Sequence, residues 1–201
     1  MHNIRLAVKD IFGQSAEVKS ITSVSGGSIS ESFLAEINDG KSLFVKKNEL
    51  SPEGLFKCEN NGLSAIKSFG ARVPEVYKVF ASEGYQYIIM QYIERTSPSK
   101  SSVYNFGREL AELHRKDAGD KYGFSENNYI GANRQFNDYS ASWVSFFAGM
   151  RLGHQLKLAV NNKYFDDHEA DVFSKLIDKL GDIIPEDKPA KWDAADAVLE
   201  G

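Results

Sequence analysis

The sequence predicts an α+β protein in two lobes, the first an antiparallel sheet with one inserted helix and the second mainly helical. Apolar and polar residues alternate with a period of two, between turn residues, up to about residue 95. Helical spacing of apolar residues dominates after that point. A length of 201 residues with 42% hydrophobic and 26% charged side chains is typical of a globular chain large enough for two small lobes. We place the limits of these lobes at residues 1–93 and 94–201.

Charge and composition exclude several classes of partner. The 24 basic and 28 acidic side chains give a net charge of -4, so no broad basic surface is expected to bind nucleic acid. No apolar run approaches the roughly 18 to 20 residues that a membrane span requires, so no membrane partner is expected. The single cysteine, Cys58, cannot form an intramolecular disulfide, which favours a reducing compartment and a cytoplasmic location.

The first lobe begins with a short amphipathic helix, which Ile4, Val8 and Phe12 mark by their helical spacing. Alternation with a period of two then predicts three strands. A hairpin turn at Asn38-Asp39-Gly40 joins the second strand to the third, because these residues tolerate the positive φ angles of a tight turn. The three strands are predicted around Ile21–Ser25, Ile29–Ile37 and Leu43–Val45.

A helix is predicted after the third strand. Ser51-Pro52 supplies a capping residue and a proline at the first helical position, and Gly70 ends the helix after about Ser68. The apolar stripe of this helix includes Glu59, a carboxylate that needs a cation nearby when it loses water. The other members of the stripe are Phe56, Leu63 and Ile66.

The rest of the sheet is a second strand pair, Val76–Phe80 with Tyr85–Ile93, which turns at Glu83-Gly84. Beyond Pro98, helical spacing predicts three helices. A long polar and aromatic loop, residues 122–140, separates the first two, and a loop of that length is usually functional or docked on a surface. The helices are Val103–Leu113, Trp143–Ala159 and Phe173–Leu180, the last ended by Gly181 and Pro185.

Three features of the first lobe are candidates for chemistry. The turn Ser25-Gly26-Gly27-Ser28 allows backbone amides to approach a phosphate, although a plain hairpin turn has the same composition. Lys46 and Lys47 point to opposite faces of the third strand, so one of them faces the ligand side unless both are simply solvated. Glu59 is the natural partner of Lys46, and protein kinases use a lysine held by a glutamate to contact nucleotide phosphates.

Other polar residues have a structural and a functional interpretation. Four amide side chains in the long loop suit a polyol ligand, but amides in loops also serve as internal capping groups. Asp193 and Asp196 have a spacing that could hold a metal ion, and we interpret them as part of a polar helical tail. Residues 114–117 read H-R-K-D, a near miss to the kinase H-R-D motif, and we interpret them as the exposed end of a helix. The four amides are Asn127, Asn128, Gln135 and Asn137.

A series of motifs resembles the fructosamine kinase, or ketosamine 3-kinase, family, within the protein-kinase-like and aminoglycoside phosphotransferase-like superfamily. The resemblance covers nearly everything from Ile21 to Ala190. Its more specific motifs lie in the second lobe and are similar to this family rather than to kinases at large. The motifs are GGSISESF (26–33), FVK (44–46), ENNGLSAI (59–66), VPEVY (73–77), LAELHR (110–115), YGFSENNYIG (122–131) and RLGHQLKLA (151–159).

The resemblance implies a bilobal kinase-like fold and ATP-dependent phosphorylation of a sugar hydroxyl on glycated amines. ATP and Mg²⁺ are the implied cofactors, and a glycated amine or a small ketosamine is the implied substrate. The adenine is expected against the connector after the last strand of the sheet, with Phe44 and Ile29 as apolar walls. The implied nucleotide-binding residues are Gly26, Gly27, Ser28, Lys46, Glu59, Met90, Gln91, Tyr92 and Ile93.

The sequence departs from the family pattern after Lys188-Pro189-Ala190. The family continues with H-G-D-x-x-x-x-N, whose aspartate orients the acceptor hydroxyl and whose asparagine holds Mg²⁺, and then with a metal-binding aspartate in a D-P pair. Here the residues KWDAADAVLEG follow instead. The resemblance therefore assigns no catalytic residue and no metal ligand to this chain.

Three functional hypotheses remain open from the sequence. The first is a ketosamine kinase whose helical lobe is shortened at its C-terminal end and incomplete. The second is a catalytically incompetent module that binds or oligomerises. The third is an aminoglycoside or choline phosphotransferase, against which the motifs of the second lobe argue. For the shortened chain we expect negligible turnover, and self-association through apolar surface on the predicted helices.

Overall fold

The structure is a computed structural model, and it describes residues 1–25, 30–116 and 119–184. The chain divides into two compact units, Met1–Asn105 and Phe106–Gly201. The first unit holds the large sheet, whereas helices dominate the described part of the second, so the predicted α+β class is confirmed. The lobe limits that we infer from the sequence stay a prediction.

The described residues of the first unit form an antiparallel sheet of five strands, two complete helices and the start of a third. In chain order its elements are α1 (His2–Phe12), β1 (Val18–Ser23), β2 (Glu31–Ile37), β3 (Ser42–Glu49), α2 (Leu55–Ser68), β4 (Val76–Ser82) and β5 (Tyr85–Gln91). The strands lie in the order β1-β2-β3-β5-β4, and every neighbouring pair is antiparallel. Both predicted hairpin turns are present, with φ angles of 87° at Gly40 and 81° at Gly84. The inserted helix and the antiparallel sheet are therefore as predicted.

Side-chain alternation along the strands creates two apolar layers, one on each face of the sheet. The larger layer packs against α1, and the smaller layer packs against α2. Members of the larger layer are Ile4, Val8, Phe33, Ala35, Ile37, Leu43, Val45, Tyr87 and Ile89. Members of the smaller layer are Phe44, Leu55, Phe56, Val76, Val79, Ile88 and Met90. The predicted nucleotide-binding side chains, Lys46 of β3 and Glu59 of α2, lie on the face of the sheet that packs against α2.

The start of α2 differs from the prediction. The helix begins at Leu55 rather than at Ser51-Pro52, because Gly54 precedes it with a φ of 74°, a left-handed conformation that a right-handed helix does not contain. An acceptor for an early helical amide comes from β5, where Oε1 of Gln86 accepts a hydrogen bond from the Phe56 N–H at 3.4 Å. The prediction of a local serine cap was wrong because the cap comes from a neighbouring strand.

In the second unit, the residues that the structure describes form helices and one small hairpin. α3 (Lys100–His114) begins in the first unit and ends in the second. The later elements are β6 (Asn128–Ile130), β7 (Asn133–Gln135), α4 (Trp143–Phe146), a π-helical segment (Phe147–Gly153), α5 (His154–Asn161), α6 (Asp167–Asp178) and α7 (Leu180–Ile183). The three helical pieces from α4 to α5 follow one another without a gap, which agrees with the single long helix predicted there. None of the helices in the described ranges is long and apolar enough to cross a membrane.

Two details of the second unit correct the sequence-based expectations. The loop at residues 122–140 contains the β6-β7 hairpin, whose three-residue strands are too short to show an alternation pattern. Helix α6 ends at Asp178, because the Lys179 N–H closes a tighter turn at 3.1 Å before α7 begins. Gly181 therefore lies inside α7 and does not end α6, and the predicted stop at Pro185 lies outside the described residues.

Candidate functional site

The candidate nucleotide site lies on the sheet face that packs against α2. The strand register places Lys46 of β3 opposite Ile88 of β5, and Phe44 opposite Met90. Because alternate residues of a strand share a face, these four side chains lie on one side of the sheet. Phe44, Ile88 and Met90 belong to the apolar layer beneath α2. Lys46 therefore presents a cation at the border of an apolar surface.

Lys46 and Glu59 form the predicted ion pair, in which Nζ of Lys46 donates to Oε2 of Glu59 at 2.7 Å. The same Nζ lies 5.7 Å from the centre of the Phe56 ring. The two side chains remain 26% and 28% exposed, so the pair is not sealed from solvent. A pair with this exposure contributes little to folding stability, about 1 kcal/mol or less. Its main effect is to hold the charge of Lys46 in one place.

Glu59 lies at the edge of the apolar stripe of α2 rather than within it. The buried residues of this helix are Phe56, Gly62 and Ile66, and Leu63 is half-buried. The sequence pattern predicts a more deeply buried carboxylate at position 59. The structure corrects this expectation because the helix turns Glu59 toward Lys46 and partly toward solvent.

Lys47 points to the other face of the sheet, which settles the choice that the sequence leaves open. Its Nζ lies 2.9 Å from Oε1 of Glu31 and 3.9 Å from the centre of the Tyr85 ring. The hydrogen bond to Glu31 raises the pKa of Lys47 above its usual value. Lys46 is therefore the lysine of this strand that faces α2.

The predicted adenine-binding residues lie where β5 ends. Met90 is buried, Gln91 is the last residue of the strand, Tyr92 is half-buried and Ile93 is 60% exposed. The N–H of Gln91 already donates to the carbonyl of Glu75 at 2.7 Å. A ligand at this edge would therefore use backbone groups other than the amide of Gln91.

The predicted phosphate-binding turn lies outside the described residues. This applies to Gly26, Gly27 and Ser28, and to the predicted apolar wall Ile29. Strands β1 and β2 remain joined close to this segment, since the N–H of Val24 donates to the carbonyl of Ser32 at 2.8 Å. The assignment of these residues to a nucleotide site stays a prediction.

The structure offers no metal site in the ranges that it describes, where no group of three or more histidine, cysteine, aspartate or glutamate side chains is placed to hold an ion. Asp193 and Asp196 lie outside these ranges. His114 is the last residue of α3 and is exposed, as expected for the end of a surface helix, whereas Asp117 also lies outside. We therefore assign no Mg²⁺ ligand.

The amides of the long loop hydrogen-bond to one another. Oδ1 of Asn128 accepts from Nε2 of Gln135 at 3.1 Å and from Nδ2 of Asn137 at 2.9 Å. Oδ1 of Asn127 accepts from the Asn137 N–H at 2.8 Å. Asn128, Gln135 and Asn137 are buried. These contacts support the interpretation of the amides as internal capping groups over the polyol-binding one.

Arg151 belongs to the same network and is a residue that the sequence pattern does not identify. It donates to the Phe136 carbonyl at 2.7 Å and to Oδ1 of Asn137 at 2.8 Å, and its guanidinium lies 4.6 Å from the centre of the Phe146 ring. These partners are up to 15 residues away along the chain, so no local motif marks them. The motif RLGHQLKLA (151–159) thus begins with a residue that holds the loop in place.

Position 123 has no room for a side chain, which explains why a glycine occupies it. Gly123 has a φ of 137°, and a Cβ atom there would lie 2.7 Å from the carbonyl oxygen of Asn137. We expect Gly123→Ala to lower the free energy of unfolding by about 2 kcal/mol, because both the backbone angle and the contact exclude a side chain. Urea unfolding measures this, with Gly107→Ala in open space on α3 as the control. Equal stability losses in the two variants would contradict the prediction.

Known proteins are similar to this chain across both units. The family model described as Fructosamine kinase matches residues 1–190, so the match also includes α1. A Synechocystis protein named as a probable ketoamine kinase is 33% identical, over 86% of this chain and 59% of its own length. The chloroplastic protein-ribulosamine 3-kinase of rice is 34% identical, over 84% of this chain and 49% of its own length.

The fold has a counterpart among solved structures. A crystal structure assigned as a fructosamine-3-kinase from Haemophilus somnus is 26% identical and matches with a TM-score of 0.80, over 92% of this chain and 62% of its own. The predicted kinase-like fold is confirmed by this likeness. The chain spans about half to two thirds of the length of these relatives. A family match over this much of the chain, together with the structural likeness, shows that the chain belongs to the fructosamine kinase family.

Proposed function

We propose that this chain takes part in the ATP-dependent phosphorylation of the sugar moiety of glycated amines, and that its large sheet binds the nucleotide on the α2 side. The observation that carries the proposal is the pair of Lys46 and Glu59, a cation held 2.7 Å from a carboxylate beside an apolar layer. A fixed cation suits the phosphates of a nucleotide, and an apolar layer suits its base. Membership of the family supports the same assignment.

In this proposal Lys46 contacts the nucleotide phosphates and Glu59 keeps the ammonium group in place. A lysine whose rotamer is already restricted loses less side-chain entropy when it binds a phosphate. The turn Gly26–Ser28 brings backbone amides to the phosphates, and the adenine lies against Met90–Ile93. The roles of Lys46, Glu59 and Met90–Ile93 depend on resemblance to the family as well as on their positions in the first unit, whereas the role of Gly26–Ser28 depends on the resemblance alone.

We propose a glycated amine or a small ketosamine as the acceptor, because relatives named for ketoamine and ribulosamine kinases match most of this chain. These names favour the ketosamine hypothesis over the aminoglycoside or choline one. Mg²⁺ neutralises phosphate charge when ATP is bound to a kinase, but we assign it no ligand among the described residues. The single cysteine supports a reducing compartment, such as the cytoplasm, for this activity.

Calorimetric titration of the 201-residue polypeptide with ATP and Mg²⁺ tests the nucleotide site. We expect saturable binding with a dissociation constant of roughly 1 µM to 1 mM, the range in which enzymes commonly bind their substrates. A thermal-shift measurement with the same ligand provides a second readout, since a ligand that binds the folded state raises the melting temperature. A titration without saturation and without a thermal shift would overturn the proposed nucleotide site.

Turnover by a polypeptide of these 201 residues is expected to be negligible. The sequence contains no H-G-D-x-x-x-x-N segment to orient an acceptor hydroxyl and hold Mg²⁺, and phosphoryl transfer requires both functions. A coupled assay of ADP release with a small fructosyl amine measures this, with Lys46→Ala as the background control. Robust turnover that Lys46→Ala abolishes would contradict the prediction.

Self-association is the expected consequence of apolar surface on α3 and α6. Six large side chains on these helices are between 43% and 73% exposed, and clustered apolar exposure favours association. Size-exclusion chromatography with light scattering is expected to show a dimer or a larger species. A monomer at all accessible concentrations would contradict this. The side chains are Val103, Tyr104, Phe106, Val172, Phe173 and Leu176.

A further inference from the structure

The N-terminal end of α2 has no cap of its own. Its N-cap residue, Gly54, has no side chain to accept a hydrogen bond, and the helix begins abruptly after that left-handed residue. The Cys58 N–H makes a helical bond to the Gly54 carbonyl at 3.0 Å, so the amides before Cys58 need acceptors from elsewhere. The position of this end matters because Glu59 follows directly after Cys58.

Gln86 of β5 supplies what the helix lacks. It is only 5% exposed, and its Oε1 accepts from the Phe56 N–H at 3.4 Å. Its Nε2 donates to the carbonyls of Glu49 and Pro52, both at 2.7 Å. One side chain therefore joins the end of β3, the connecting segment and the first turn of α2. Only a primary amide offers two donors and an acceptor in this arrangement, since a carboxylate lacks the donors and an apolar side chain lacks both.

The same contacts connect Gln86 to the ion pair. Gln86 lies two residues before Ile88, which faces Lys46 across the strand pair. Phe56 donates its backbone N–H to Gln86. The ring of Phe56 lies beneath the Lys46 ammonium group, and Phe56 precedes Glu59 by about one helical turn. The side chain of Gln86 thus fixes the helix that carries Glu59 to the strand next to Lys46.

We propose that Gln86 is a positioning residue that fixes the start of α2 and thereby places Glu59 against Lys46. Its value for nucleotide binding rests on the function proposed above, but its effect on α2 does not. If Gln86 contributed only to general packing, its replacement would lower the free energy of unfolding without a selective effect on the start of α2. The test therefore compares Gln86 with a residue of the same strand that packs on the opposite face.

The single thiol of the chain, Cys58, is the probe of α2. We expect Gln86→Met to accelerate modification of Cys58 by an aromatic disulfide reagent about fivefold, the change in population that corresponds to the loss of one helix cap. ATP affinity is expected to fall by up to about the same factor, because a Lys46 that Glu59 no longer holds in place loses more side-chain entropy when it binds a phosphate. The control is Ile89→Val, a change at a fully buried position on the α1 side. It is expected to lower the melting temperature and to leave both readouts within about twofold of the parent.

Two further variants make the outcome decisive. Gln86→Glu keeps an acceptor for the Phe56 N–H but places a carboxylate oxygen against the carbonyls of Glu49 and Pro52, so its Cys58 modification rate is expected to be at least as high as that of Gln86→Met. In a Glu59→Gln background, Gln86→Met is expected to cause no additional loss of ATP affinity, because the residue acts through Glu59.

Equal Cys58 rates in the Gln86 variants and Ile89→Val, or additive losses of affinity in the double variant, would overturn the proposal. If the parent does not bind ATP, the proposed function fails, and the Cys58 rates alone decide whether Gln86 positions α2.

Discussion

Lys46→Ala is expected to weaken ATP binding by about 10- to 100-fold, which corresponds to the loss of a charge-assisted hydrogen bond to phosphate. Lys46 is the lysine that faces α2, and Glu59 holds its ammonium group 2.7 Å away in a pair that is not sealed from solvent. Folding stability is expected to change little, because both members of the pair are about one-quarter exposed. The change thus separates ligand binding from stability.

Lys47→Ala is the matched control for this experiment. Lys47 is the next residue of the same strand, has the same charge, and pairs with Glu31 on the opposite face. Both variants change the net charge equally, so a general electrostatic effect on ATP would appear in both. Calorimetric titrations at the same salt concentration measure the two affinities. If both variants bind ATP as tightly as the parent, Lys46 is not part of the site; if both weaken it equally, the effect is not local.

Much of the first unit can be predicted from local signals. The period of two in β2 and β3 separates the two faces of the sheet, and the glycines at positions 40 and 84 mark hairpins because each adopts a positive φ angle. The start of α2 cannot be predicted in this way. Its cap comes from Gln86, which lies 30 residues after Phe56, and a search for local caps selects Ser51 instead.

The candidate site shows the same division between local and distant information. Strand alternation and helix spacing each define a face, but they leave Lys46 and Lys47 as alternatives, and only the kinase pattern of a lysine held by a glutamate pairs Lys46 with Glu59. The exposure of Glu59 could not be predicted, because it depends on where α2 begins and how the helix packs. In the second unit the sequence singles out the loop amides, Asn137 among them, but only the folded loop shows that Arg151 donates a hydrogen bond to Oδ1 of Asn137.

The burial of Asn137 makes its replacement the most damaging change that we expect in the second unit. The residue is fully buried, and its Nδ2 donates to the Glu126 carbonyl at 3.0 Å and to Oδ1 of Asn128 at 2.9 Å. Its Oδ1 accepts from Arg151 at 2.8 Å. Removing the amide leaves a cation and two acceptors with one partner fewer in a buried site. Such losses cost about 1 to 3 kcal/mol each, and more where the group is charged.

We therefore expect Asn137→Ala to lower the free energy of unfolding by about 3 kcal/mol, and the melting temperature of this unit by roughly 15 °C. Asn133→Ala is the matched control, because Asn133 is an exposed asparagine of the same long loop. Asn137→Asp keeps an acceptor for Arg151 and loses both donors, so it separates the contribution of the cation from that of the carbonyl and amide acceptors. Urea unfolding and calorimetry measure the three variants. Equal stability of Asn137→Ala and Asn133→Ala would mean that the network does not hold the loop, and the amides would again be available to bind a polyol.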